Sequence, residues 1–246
     1  VKGEGSGVSF DEAQETFTAR YTHETVALAF AITEEAIEDN LYDRLASRYT
    51  KALARSMSNA KQVKAVEPLI QGLPTTDGFD SGDGVSLFNT SHPTVAGTFQ
   101  NTLTTQADLN ETSLEQSLID IGQMTDERGL RVAARGVKMI IPSELQFTAE
   151  RLMKSQGRTG TADNDINAIV SMGMIPQGYR VNNYLTDTDA FYILTDIPNG
   201  MKMFNRAPLT TAMEGDFDTG NVRYKARERY SFGVSDPRGI FGVEGA

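Results

Sequence analysis

No cysteine occurs anywhere in the 246 residues. That absence excludes disulfide frameworks, zinc fingers, iron–sulfur clusters and thiolate nucleophiles, and it suits a chain that folds in a reducing cytoplasm. Histidine is almost as scarce, with His23 and His92 lying far apart, so no metal site can be built from the pair. Basic residues are outnumbered: 23 Lys and Arg face 33 Asp and Glu, giving a net charge of −10. This is the wrong balance for a free-standing nucleic-acid reader, which must cluster cations over phosphates. No run approaches the ~18 apolar residues needed to span a bilayer, and the start lacks the basic-then-apolar layout of a secretory signal. The expectation is a soluble chain with no membrane partner. Phosphate-loop, dinucleotide and nucleophile-elbow motifs are missing as well.

What is present suffices for a sizeable core in one large or two modest domains, since a chain of this size buries roughly 70–75% of its unfolded surface. Residues 1–16 are rich in Gly, Ser and acid and read as an exposed arm, and the opening VKGEGSG reads as a processed or trimmed end. From Thr18 to Ile32 apolar side chains alternate and predict a strand, with Val26, Leu28, Phe30 and Ile32 on one side. Thr33 as N-cap, Glu34 and Glu35 in the first turn, and Ile37, Leu41, Leu45, Tyr49, Ala52, Leu53 and Met57 at three- and four-residue spacing predict a helix of about 25 residues, roughly 38 Å long.

The charges of this helix are sorted along its length. Glu34, Glu35, Glu38, Asp39 and Asp43 come first, then Arg44, Arg48, Lys51 and Arg55, with Lys61 and Lys64 beyond them. From Glu34 to Arg55 none pairs with an opposite charge at i,i+3 or i,i+4, so over that stretch the usual lacing worth about 0.2–0.5 kcal/mol per pair is forgone. These groups read as held for partners elsewhere.

Between Gly72 and Gly97 the chain reads as a loop. Asp77, Asp80 and Asp83 recur every third residue in the Asp/Gly segment 77–84, off the alternate-residue spacing of a calcium-binding EF-hand. Further on, Thr112 with Glu115 and Ser143 with Gln146 predict capping boxes for two helices. VKMII (137–141) predicts a buried strand, and Asp165–Met172 a short helix. Tyr179–Leu185 and Ala190–Ile197 predict strands, the second joined through Pro198-Asn199-Gly200 to Met201–Asn205 as a hairpin.

From Val222 to Val234 even positions are apolar, with Glu228 the exception, while odd positions carry Arg223, Lys225, Arg227 and Arg229. That is a strand of about 43 Å with one basic face. Its aromatics sit on the other side, so it lacks the interleaved stacking platform of single-strand binders. Acidic partners for the cations are expected either in the Glu34–Asp43 half of the long helix or on another molecule. His92, next to Ser91 in SLFNTSHP, is expected to be a loop histidine bonded to its own turn, because sequence neighbours rarely attain triad geometry.

The order of these blocks resembles the major capsid protein of tailed bacteriophages, the Hong Kong 97 fold, and in wording the Mu-like major head subunit group. The residues that carry the likeness are RYTHETVALAFAITEEAIEDNLYDRLASRYTKALARSM (20–57), LFNTSHP (87–93), VKMIIPSELQFTAERLMKS (137–155) and YLTDTDAFYILTD (184–196). The resemblance implies an α+β subunit that is not an enzyme and needs no cofactor. It would assemble with itself as hexamers and pentamers into an icosahedral shell, enclosing DNA without sequence-specific binding. Formation in the host cytoplasm, residence in the virion, and scaffold, portal and decoration proteins as further partners are implied too.

By the same resemblance, 1–32 would be arm remnant and extended loop, 33–105 a peripheral domain whose spine helix opens it, 106–205 an axial domain and 206–246 strands returning to the periphery. SLFNTSHP would then be a surface or inter-subunit loop. The prototype's lysine–asparagine cross-link has no assignable counterpart, since Lys2 is the only lysine ahead of the spine helix. An encapsulin-like compartment of the same fold, a calcium-dependent surface protein and a small hydrolase are the alternatives.

Overall fold

Two larger sheets and the small β2-β3 pair organise the structure, a computed structural model that describes residues 17–39, 42–76, 78–158 and 165–246, with the side chains of 42–44 outside that description. In chain order the elements are β1 (Glu24–Ile32), α1 (Glu34–Glu38), α2 (Tyr42–Gln71), β2 (His92–Thr94), β3 (Gly97–Phe99), α3 (Glu111–Gln123), β4 (Gly136–Ile141) and α4 (Gln146–Lys154). Then follow α5 (Ala168–Met172), β5 (Tyr179–Val181), β6 (Phe191–Thr195), β7 (Met201–Gly215), β8 (Val222–Val234) and β9 (Ile240–Val243). The class is α+β, as expected.

The first sheet is an antiparallel ribbon in the order β1-β8-β7, and α2 packs along it. The spine helix departs from the expected single element. Five residues of α1 precede a break at Asp39, and α2 then runs 30 residues, about 45 Å, ending at Gln71. Its apolar spacing continues through Val66 and Leu69, both buried, and Pro68 is admitted in the last turn. Gly72 follows the helix, where a side chain would collide with the Pro68 carbonyl and Leu87. The expected N-cap Thr33 is extended but makes no side-chain cap.

The second sheet, β5-β4-β6-β9, carries the main core, where Leu114, Ile121, Met139, Ile141, Phe191, Ile193, Phe241 and Val243 are sealed between the strands and α3 to α5. The cap of α3 lies two residues earlier than expected. Asn110 accepts from the Ser113 N–H while the Ser113 hydroxyl accepts from the Asn110 N–H, because Asn is a strong cap and Ser113 can reciprocate. No box forms at Ser143, whose hydroxyl bonds Glu144. Asn167 caps α5.

A middle core joins the halves, built from Val66, Leu69, Leu73, Leu87, Phe88, Tyr192, Val234 and Ile240. Leu87 and Phe88 are fully buried, so SLFNTSHP supplies core and is not a surface loop. Two further corrections concern strand partners. β6 and β7 are not a hairpin: β6 pairs with β4 and β9, and β7 with β8. The Pro198–Gly200 turn instead bonds the segment after β8, with Asn199 and Gly200 carbonyls accepting from Asp236 and Ser235. β9 pairs with β6 at the edge of the second sheet and not with the ribbon strands, although its Ile240 packs in the middle core beside Val66 and Leu69 of α2.

Gly200 and Gly239 touch backbone to backbone at this junction, leaving no room for a Cβ on either. Gly239→Ala is expected to lower stability by about 1–3 kcal/mol through overpacking. Gly122→Ala, in α3 with open space around its Cβ, is expected to raise it by about 0.5–1 kcal/mol. Denaturant midpoints of the two variants against the parent check both signs.

Candidate assembly surface

One face of the ribbon is covered by α2 over part of its length, with Leu28 and Met213 on the same face left exposed. Val26 and Phe30 of β1 and Ala226 of β8 meet Leu53 and Met57 of α2, and Phe30 stacks on Tyr224 with ring centroids 4.9 Å apart. Glu228, the exception in the apolar register, is on this face at only 4% exposure. Its carboxylate accepts from Lys61 Nζ at 3.0 Å, and the same ammonium lies 5.0 Å from the Tyr230 ring. Lys64 reaches Glu24 at 3.0 Å and Glu67 at 3.1 Å. Those hydrogen bonds, to Glu24 first, raise the Lys64 ammonium above its ordinary value. These two cations therefore find partners within the chain, which the expectation of partners elsewhere missed. The signals were Glu228, out of register in an apolar row, for Lys61 and the i,i+3 spacing of Glu67 for Lys64.

The other face is open. Arg223, Lys225, Arg227 and Arg229 stand opposite Ala31, Ala29, Ala27 and Thr25 of β1 on one side, and Glu214, Ala212, Thr210 and Ala207 of β7 on the other. The cations recur about every 6.8 Å along β8, between two rows of mostly small side chains. Arg223 pairs with Asp216, whose carboxyl is held below its usual range by the Thr219 hydroxyl, with the Arg223 charge adding to it. Lys225 and Arg227 are exposed and have no partner among the described residues. Arg229 is half-buried, with its Nε shielded from solvent and unbonded.

The expected acidic counterparts are elsewhere. Glu34, Glu35, Glu38 and Asp39 are exposed, and among the described residues no ion pair joins them to the basic stripe of the same chain. Pairing of Ile32 with Val222 sets α1 beside the β7–β8 turn, where the Glu34 carboxylate lies against Gly220. Arg48 is exposed on α2, and the side chains of Asp43 and Arg44 lie outside the described residues.

His92 is sealed from solvent. Nδ1 sits 2.6 Å from Asp83 Oδ2, and Nε2 donates to Asn101 Oδ1 at 2.9 Å. The Asn101 amide is oriented by its Nδ2 donations to the Leu87 and Pro237 carbonyls. Phe99 stacks on the imidazole at 4.8 Å and carries Arg238 at 4.2 Å. The ring nitrogen that a serine hydroxyl would need is spent on an amide, so the geometry is that of a structural plug. Burial alone would push the Asp83 carboxyl up; hydrogen bonds from His92 and Ser81, the His92 charge and the Val85 N–H outweigh it and hold it low. Asp83 is therefore committed to His92 and Ser81, and among the described residues no cluster of His, Asp and Glu is placed to hold a metal ion; Asp80 is exposed and Asp77 lies outside the described residues. His23 lies just ahead of β1 and contacts the Ser231 hydroxyl at 3.1 Å.

A family model described as phage capsid protein matches residues 15–243. No curated protein sequence matches the chain. Among solved structures, the capsid of Myoviridae phage XM1 aligns with a TM-score of 0.55 at 12% identity, covering 92% of this chain and 74% of that one. The capsid of cyanophage P-SCSP1u gives 0.53 at 12%, covering 98% and 80%. A chain from Mycobacterium phage Che8 gives 0.50 at 17%, covering 91% and 72%. At these identities the likeness is one of fold, the Hong Kong 97 capsid type.

Breaking the Lys61–Glu228 pair by Lys61→Ala is expected to destabilise the chain by about 2–3 kcal/mol, less than a sealed pair because Lys61 is 30% exposed. Adding Glu228→Gln to that variant should recover most of the loss, as a denaturation double-mutant cycle would read. For Asp83 the folded-state pKa is depressed, so its contribution is present above about pH 4 and lost as the pH falls below it. Asp83→Asn should flatten that acid limb in melting scans and lower stability by about 1–3 kcal/mol at neutral pH.

Proposed function

The chain belongs to the phage capsid protein family and is a structural capsid subunit, and from that premise we propose that it builds an icosahedral shell by joining copies of itself as hexamers and pentamers. The observation that carries the reading is the uncovered basic face of the β1-β8-β7 ribbon. A lone subunit has no use for exposed cations in a row flanked by alanines, whereas a shell repeats each contact many times. Individual surface ion pairs contribute only about 0–1 kcal/mol, but repetition over a closed assembly turns small terms into a stable wall.

The acidic partner we favour is the α1 segment Glu34, Glu35, Glu38 and Asp39 of an adjacent copy, with Asp43, Arg44 and Arg48 as further contacts. The ribbon with α1 and α2 would act as the peripheral part, and the β5-β4-β6-β9 sheet with α3 to α5 as the axial part. The shell encloses DNA without reading its sequence, consistent with a net charge of −10. It is assembled in the host cytoplasm, with scaffold, portal and decoration proteins as further partners.

Reversing Lys225→Glu together with Arg227→Glu is expected to leave the subunit folded, because both side chains are exposed, and to reduce shell yield severalfold in negative-stain microscopy. Unchanged shell yield and melting would overturn the role given to this face. The nucleic-acid content of purified shells separates a genome container from one that holds protein.

A further inference from the structure

The β7–β8 turn shows what seats on the open face. Asp216, Phe217 and Asp218 form its tip, and Phe217 is fully exposed, at 101% of its reference area. The turn is built to hold it there. The Asp216 N–H donates to the Asn221 carbonyl and the Gly220 N–H to the Asp216 carbonyl, Thr219 donates to the Asp216 carboxylate, and Gly220 sits at φ +68°. An aromatic ring held out from an ordered turn, between two carboxylates, is a rigid knob.

The open face has the complementary form. A cavity of about 310 Å³ lies against Ala29 and Ala212 and is lined by the cations Arg223 and Lys225 and by Glu214 and Asp216, larger than the ~150 Å³ void that takes up one benzene; Arg223 is already paired with Asp216, which leaves Lys225 as its unpaired charge. Arg227 follows on the same face, and Ala27 and Thr210 flank it. The small residues leave an apolar floor for a ring. The cations beside it can pair with carboxylates and lie over an aromatic face, a contact worth about 0.5–1 kcal/mol when exposed.

Phe217 does not fill this cavity in its own chain: Asp216 at the base of the turn lines it, while the Phe217 ring is fully exposed and is not part of the lining. Arg227 lies further along β8, about 17 Å of straight strand from Val222. The two surfaces differ, so their contact is head-to-tail, the kind that closes into rings when the rotation allows. Resting on the shell reading above, we infer that the Asp216–Asp218 tip of one copy docks on the open ribbon face of a second copy, Phe217 on the floor of Ala29 and Ala212 and Asp218 against Lys225 and Arg227.

The absence of native cysteine allows a clean test. Shells are assembled from a mixture of full-length Asn221→Cys and Ala27→Cys chains and treated with a short bismaleimide, with Val95→Cys in place of Ala27→Cys as the control. The expected result is a linked dimer severalfold above the control, falling to the control level when Phe217→Ser is added to the Asn221→Cys chain. Shells that form normally but give no dimer above the control overturn the contact and leave the capsid reading standing. Protection of Ala27→Cys from the reagent by duplex DNA, without a cross-link, gives the face to nucleic acid and likewise overturns it. Failure of the unmodified chain to form shells overturns the capsid reading, and the contact falls with it.

Discussion

A three-stranded sheet has two faces, and this chain supplies cover for only one of them. α2 lies on the even-numbered side of β8, where Ala226, Tyr230 and the Lys61–Glu228 pair are enclosed. Nothing among the described residues lies over Lys225 and Arg227 on the odd side. The distal part of this layer is also thin. Apart from Ile32 at the end of β1, the buried apolar cluster there consists of Leu53, Met57 and Ala226, with Val26 and Phe30 half-buried against it. Ordering long elements costs backbone entropy at every residue, and so small a core returns little against it. Contact with neighbours is the remaining source of stabilisation.

The other half of the molecule is self-sufficient. Its four-stranded sheet is sealed by α3 to α5, its helices are capped by Asn110 and Asn167, and its last strand is wholly buried. Between the halves, His92, Asp83, Asn101 and Arg238 form a buried polar junction whose bonds reach residues 83, 87, 89, 125, 127 and 237. A firm body carrying an incomplete ribbon is a physical description of a shell subunit: the body keeps its shape while the ribbon is completed by assembly.

Much of this was legible in the residues because it depends on local periodicity. Alternation over Val222–Val234 set the bounds of β8 and separated its two faces, and VKMII marked β4. Glu228 stood out in that alternation, but its partner is 167 residues away, and sequence spacing carries no information about such a meeting. β7 was seen only at its first five residues, because Pro208 and two register shifts interrupt its pattern. The hairpin misassignment arose from a turn whose bonds close onto a different strand end. His92 was read as a non-catalytic loop histidine bonded to its own turn, but it opens β2 and bonds Asp83 and Asn101, each nine residues away, and its burial depends on Phe99 and Arg238 packing from elsewhere.

The charge pattern now has a physical sense at two scales. Within the chain, Lys61 and Lys64 fasten the helix to the ribbon; between chains, the cations of the open face and the acidic end formed by α1 and the β7–β8 turn are left to each other. The central claim is that assembly covers the open face, and amine footprinting of Lys225 tests it most directly, with exposed Lys51 on α2 for comparison. Free subunits and assembled shells are labelled side by side. Lys225 is expected to react in the free subunit and to become protected in the shell; equal labelling of Lys225 in both states would contradict the claim.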